Sequence, residues 1–124
     1  MPIVRADTAP TFTLPGLAVT GLASPSRGST ETSAWRLRIA AGTPGVEHSL
    51  DREEIFIAIS GQAVATLNKR AVYLNPGDAL IVPAGEPFAL ANQGAEPFEA
   101  VALAPNGTRA IIGDGESFQP PWTE

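Results

Sequence analysis

The sequence predicts an all-β domain, a sandwich or barrel of short strands with little or no helix. Three observations carry that reading. Twelve prolines and twelve glycines in 124 residues break the chain too often for long helices. Between the breakers lie about eight to ten short apolar runs at near-regular spacing, a pattern typical of sandwiches and barrels. The length suits one domain, residues 1–124, and no internal repeat is visible.

The elements follow in chain order. "TFTL" (11–14) and "LAVTGLA" (17–23) are short strands divided by Pro15 and Gly16. "SPSRGSTETS" (24–33) has loop composition without periodicity and is expected to be a mobile excursion. In "AWRLRIA" (34–40), Trp35, Leu37 and Ile39 fall on one face of a strand and Arg36 and Arg38 on the other. "EHSLDREE" (47–54) has fair helix propensity, but isolated helices need about 12–15 residues. An extended stretch turning at Asp51 and Arg52 is therefore preferred. "IFIAIS" (55–60) and "AVATLN" (63–68), joined through Gly61 and Gln62, read as a hairpin. "AVYL" (71–74) leads into "NPGD", where Pro76 and Gly77 suit a type II turn. "ALIVP", "FALAN" and "FEAVALA" complete the series, and residues 113–124, with Pro120 and Pro121, form an irregular tail.

Charge and composition narrow the function classes. A net charge of -5 argues against nucleic acid, whose affinity comes from neutralising phosphates, and the eight basic residues form no stripe. The absence of cysteine removes disulfides, thiolate ligands and a thiol nucleophile. No run of residues is apolar enough for a membrane span, and no signal-like pattern opens the chain. The expectation is a soluble, cytoplasmic protein with no nucleic-acid or membrane partner.

The single histidine, His48, sits in a spaced block: Gly42 lies six positions before it, Glu54 six after it, and Gly61 seven beyond Glu54. A second block, "GDALIVPAGEPFALAN", carries Gly77, Pro83, Gly85 and Asn92. In spacing these two blocks, 42–61 and 77–92, resemble the motifs of the cupin family. The resemblance implies a small single-domain jelly-roll barrel of two antiparallel sheets. It also implies a homodimer paired through its sheets and exchanging N-terminal strands, here "TFTL" and "LAVTGLA". Metal-binding cupins hold their ion with histidines and one glutamate. Of those positions only His48 and Glu54 survive, because Leu50 and Phe88 stand where the other histidines would be. Leucine and phenylalanine have no lone pairs to offer a metal. No cofactor is expected, with a weak divalent metal on His48, Glu54 and waters as the remaining option.

The site implied is an apolar pocket with a small polar spot. Leu50, Phe56 and Phe88 would supply walls, His48 and Glu54 the polar groups, and Arg52 shares their parity, facing inward or swinging to the rim. The first functional expectation is a protein that binds a small, largely apolar molecule in the barrel. The alternative is an isomerase, cyclase or lyase using His48 as general base or acid with Glu54 orienting it. Against both stands a structural reading in which His48 and Glu54 merely satisfy each other, or the barrel interior is filled.

Other features carry less. Ser49 and His48 would point to opposite faces of a strand, so they form no triad. "GDGESF" (113–118) lacks the strand-to-helix context of a phosphate cradle. Arg36 and Arg38 read as a solvated or subunit-facing side. Trp35, Tyr73 and Trp122 read as packing residues, and "PPW" as a pin holding the tail to the barrel or a neighbouring subunit.

Overall fold

Glycine and proline set most of the strand limits in the computed structural model, which describes residues 1–124. There are eleven strands: β1 (Thr11–Leu14), β2 (Leu17–Ala23), β3 (Thr32–Ile39), β4 (His48–Leu50), β5 (Glu54–Ser60), β6 (Ala63–Leu67), β7 (Arg70–Leu74), β8 (Ala79–Val82), β9 (Phe88–Ala91), β10 (Phe98–Pro105) and β11 (Ala110–Ile112). They form a six-stranded sheet in the order β1-β2-β3-β10-β5-β8 and a five-stranded sheet in the order β11-β4-β9-β6-β7. Every pairing between strands is antiparallel. The only helical elements are single 3-10 turns at Pro25–Arg27 and Pro121–Thr123. This is the jelly-roll barrel expected of the two sequence blocks.

Period-two alternation builds the core. Trp35, Leu37 and Ile39 of β3 are buried while Arg36 and Arg38 face out, and Phe98, Ala100, Ala102 and Ala104 form the buried face of β10. Phe56, Val82, Phe88 and Leu50 join them from the neighbouring strands.

Two local expectations are corrected, and one strand is added. The segments at 55–60 and 63–68 are not a hairpin: β5 pairs with β10 and β8, whereas β6 pairs with β7 and β9. Gly61 turns the chain from one sheet to the other at φ 76°, and a Cβ there would overlap the Pro97 carbonyl. The hairpin is instead β6–β7, turning on Asn68 and Lys69, both at positive φ (50° and 64°) as a type I′ turn requires. The 24–33 stretch is not slack. Its last two residues belong to β3, Ser24 and Ser33 are fully buried, and Ser33 donates to the Asn106 side chain at 2.7 Å. One strand the sequence analysis did not assign, β11, pairs with β4, and Phe118 of the tail bridges back to Ala110.

Elsewhere the turn chemistry is as expected. In "NPGD" the Asp78 N–H donates to the Asn75 carbonyl at 2.9 Å, Gly77 takes φ 90°, and the Asp78 carboxylate accepts from the Asn75 N–H. Asn92 is buried, donating to the carbonyls of Ile39 and Glu96 while accepting from the Gly94 N–H.

Candidate functional site

A cavity of about 560 Å³ opens between the sheets, and fourteen of its twenty-one lining residues are hydrophobic. Its walls come from the inner faces of β2, β3 and β5, from β4 and β11 across the barrel, and from the tail. The strand alternation that buries Val19, Leu37 and Phe56 therefore also sets the shape of the cavity. No lysine or arginine lines it.

Four of the six sequence-predicted site residues meet there: His48, Leu50, Glu54 and Phe56. Two do not. Arg52 is exposed, because the turn at Asp51 and Arg52 breaks the strand parity that would have carried it inward. Asp51 anchors that turn by accepting the Arg109 N–H at 2.8 Å. Phe88 is fully buried behind the wall, its ring 4.3 Å from the His48 ring and 5.7 Å from Phe56 by centroid. It supports the wall from behind.

His48 and Glu54 do not form the expected pair. The one ion pair in the chain is Arg36–Glu99 on the outer surface, and no side-chain hydrogen bond links the two site residues. His48 Nδ1 lies 2.9 Å from the Val46 carbonyl. A carbonyl only accepts, so the neutral ring carries its proton on Nδ1 and keeps the lone pair on Nε2. Burial pushes the His48 pKa below its ordinary 6.5, the bond to Val46 acting in the opposite direction, so the ring is a neutral base at neutral pH.

Glu54 opens β5 opposite Val82, is 4% exposed, and has no hydrogen-bond partner on its buried Oε1. Loss of water without a compensating donor pushes its pKa up from 4.5 to about 8. At neutral pH it is a carboxylic acid, able to donate one hydrogen bond into the cavity as well as accept.

These donors do not fit a family-type metal. Leu50 and Phe88 occupy two of the ligand positions, the Phe88 ring packs against His48, and nowhere do three His, Asp or Glu side chains gather.

The sequence reading missed most of the rim. Phe118, Pro120, Pro121 and Trp122 of the tail and Leu14 and Pro15 beside β1 line the cavity mouth. Trp122 packs on Phe12 at 6.1 Å between ring centroids, and its indole Nε1 is buried without a partner. The signal available was "PPW" itself, whose apolar bulk in an irregular tail needs burial somewhere.

Residues 35–104, more than half of the chain, match the family model described as the cupin domain. No curated protein matches the chain in sequence. Among solved structures, the polyketide cyclase RemF from Streptomyces resistomycificus is similar with a TM-score of 0.81 at 15% identity, over 98% of this chain and 88% of that one. A sugar phosphate isomerase from Silicibacter pomeroyi is similar at 0.74 and 16% identity, over 91% and 82%. Salicylate 1,2-dioxygenase from Pseudoaminobacter salicylatoxidans is similar at 0.71 and 20% identity, over 85% of this chain but 31% of that one. At such identities the likeness is one of fold.

Proposed function

The chain belongs to the cupin domain family, and from that premise we propose that its barrel takes up one small, largely apolar molecule without a tightly bound metal. The observation that carries this reading is the cavity: about 560 Å³, mostly apolar, with His48 and Glu54 as isolated polar groups in its wall. Small-molecule sites are typically built this way, apolar surfaces giving affinity and a few polar groups giving orientation. A purely structural barrel would be filled by its own side chains.

Both tryptophans of the chain, Trp35 and Trp122, line the cavity, so their emission reports occupancy. The expected result is saturable quenching by apolar small molecules, with retained or added ligand visible by native mass spectrometry. Ala110→Trp, which places a large ring on a buried wall position, should abolish it. Unchanged emission with every apolar compound, and binding indifferent to Ala110→Trp, would overturn the reading. Plasma mass spectrometry of the same sample should find less than about a tenth of an equivalent of metal. A near-stoichiometric metal lost in His48→Ala would restore the metal-dependent alternative.

A second reading rests on the opposed protonation states of the two polar groups. A neutral base at His48 and a neutral acid at Glu54 line one cavity, and groups driven apart in this way commonly serve as a base and an acid. His48 Nε2 would take a proton from carbon beside a carbonyl while Glu54 donates one to the carbonyl oxygen, a step shared by isomerases, cyclases and lyases. Structural neighbours described as a cyclase and an isomerase are compatible with this chemistry. His48→Ala separates the readings: a binder keeps most of its affinity, whereas turnover in an enzyme is lost.

The proposal includes a homodimer in the cytoplasm. Its support is an aliphatic outer face on the six-stranded sheet, with Ile81 of β8 beside Ile55 of β5, which in turn lies beside Leu103 of β10.

A further inference from the structure

The wall of the cavity contains one carboxyl group and no positive charge. Glu54 is 96% removed from solvent (4% exposed), no side chain or backbone group donates to it, and its Oε1 is fully buried. A buried acid without a partner costs the fold stability, and the fold supplies nothing that recovers the cost. The wall's other polar side chains do not change the charge balance. His48 is held by the Val46 carbonyl as an Nε2 acceptor, and Thr43 spends its hydroxyl proton on the Ala40 carbonyl at 2.7 Å. The indole N–H groups of Trp35 and Trp122 are neutral donors that cannot supply a countercharge. Four aromatic side chains line the same cavity: Trp35, Phe56, Phe118 and Trp122.

Resting on the reading that the barrel takes a ligand at all, we propose that this ligand is an organic cation: an apolar body carrying a protonated amine that pairs with the Glu54 carboxylate. An ammonium provides what the site lacks. On binding, Glu54 releases its proton to water and becomes the carboxylate that accepts from the ammonium N–H groups, His48 Nε2 accepts another, and the aromatic rings attract the charge through their quadrupoles. The chain's net charge of -5 favours the approach of cations in the same sense. An anionic ligand is disfavoured on every count, since no cation in the wall would pair with it. A neutral carbonyl compound accepting from protonated Glu54 is the competing occupant.

Three compounds of matched shape decide between them: 4-phenylbutylamine, 4-phenylbutanol and 4-phenylbutyrate, titrated at neutral pH against wild type and Glu54→Gln by calorimetry and tryptophan emission. The amine should bind at least about tenfold tighter than the alcohol, and the carboxylate weakest of the three. Glu54→Gln should bring the amine down to the affinity of the alcohol, with a cooperative melting transition showing that the variant is folded. An alcohol that binds as well as the amine, or an amine indifferent to Glu54→Gln, overturns the cation while leaving an occupied barrel standing. Failure of all three to bind overturns both the cation and the occupied barrel.

Discussion

A carboxyl that is 4% exposed and accepts no hydrogen bond fits the folded chain best as the neutral acid. Its pKa is 4.5 in the open chain and about 8 in the fold, so between those values the native state binds a proton that the unfolded state has released. Stability from this group is fully present below about pH 4.5 and is lost as pH rises towards 8, by at most on the order of 5 kcal/mol. His48 acts in the opposite sense: with its folded pKa lowered, its contribution is present above 6.5 and falls away as pH drops through the folded value. Urea denaturation of wild type and Glu54→Gln across this range separates the two. The variant should lose the decline between 4.5 and 8 and keep the acid-side fall due to His48. A variant with the same alkaline slope as wild type would show that Glu54 is ionised or paired in the fold.

Among the elements, the tail and β2 form one device. Arg27 Nη2 donates to the Trp122 carbonyl at 2.7 Å and Ser26 Oγ to the Glu124 carbonyl at 2.5 Å, holding a wall of the cavity in place. Gly21 explains how the guanidinium reaches that carbonyl: a Cβ there would overlap Arg27 Nη2. Glycine weakens a strand interior and often marks such a close approach. Gly21→Ala, at a position that does not itself line the cavity, should therefore displace the Arg27 side chain and release the tail. The lost charge-assisted bond costs roughly 1.5–3 kcal/mol, offset in part by about 0.5–1 kcal/mol from replacing a strand glycine. A small net drop in melting temperature should accompany much faster hydrogen exchange and proteolysis over 113–124. Unchanged protection of the tail would show that Arg27 does not hold it.

At the scale of the whole molecule, the six-stranded sheet presents two different faces. Its inner face builds the core and the cavity, whereas its outer face carries Ile55, Ile81, Val101 and Leu103 on adjacent strands, with Ile81 57% exposed. The other margin of the sheet is β1, which pairs only with β2 and leaves its second edge open. A second copy covering these features would remove both an apolar surface and an open edge from water. Light scattering should give twice the chain mass for wild type and the single mass for Ile81→Lys. A monomeric wild type would count against the homodimer.

Strand content and the inward set of β3 were legible in the sequence because a period of two assigns each side chain to a face before any packing exists. The family blocks likewise placed His48, Leu50, Glu54 and Gly61 at the right turns and strand starts. Partnership between strands was not legible. A two-residue link through Gly61 and Gln62 serves equally as a hairpin or as a corner between sheets, and only the competition of β10 and β8 for β5 decides it. Parity also failed across Asp51 and Arg52, where a turn replaced two residues of strand and left Arg52 in solvent. The rim contributed by Trp122 is contact between segments roughly a hundred residues apart, held by Arg27, and no local pattern encodes it. Local sterics and hydrophobic period therefore determined the elements and the fold class. The tertiary structure decided which polar groups were left without partners, because burial and pairing depend on every segment that packs around them.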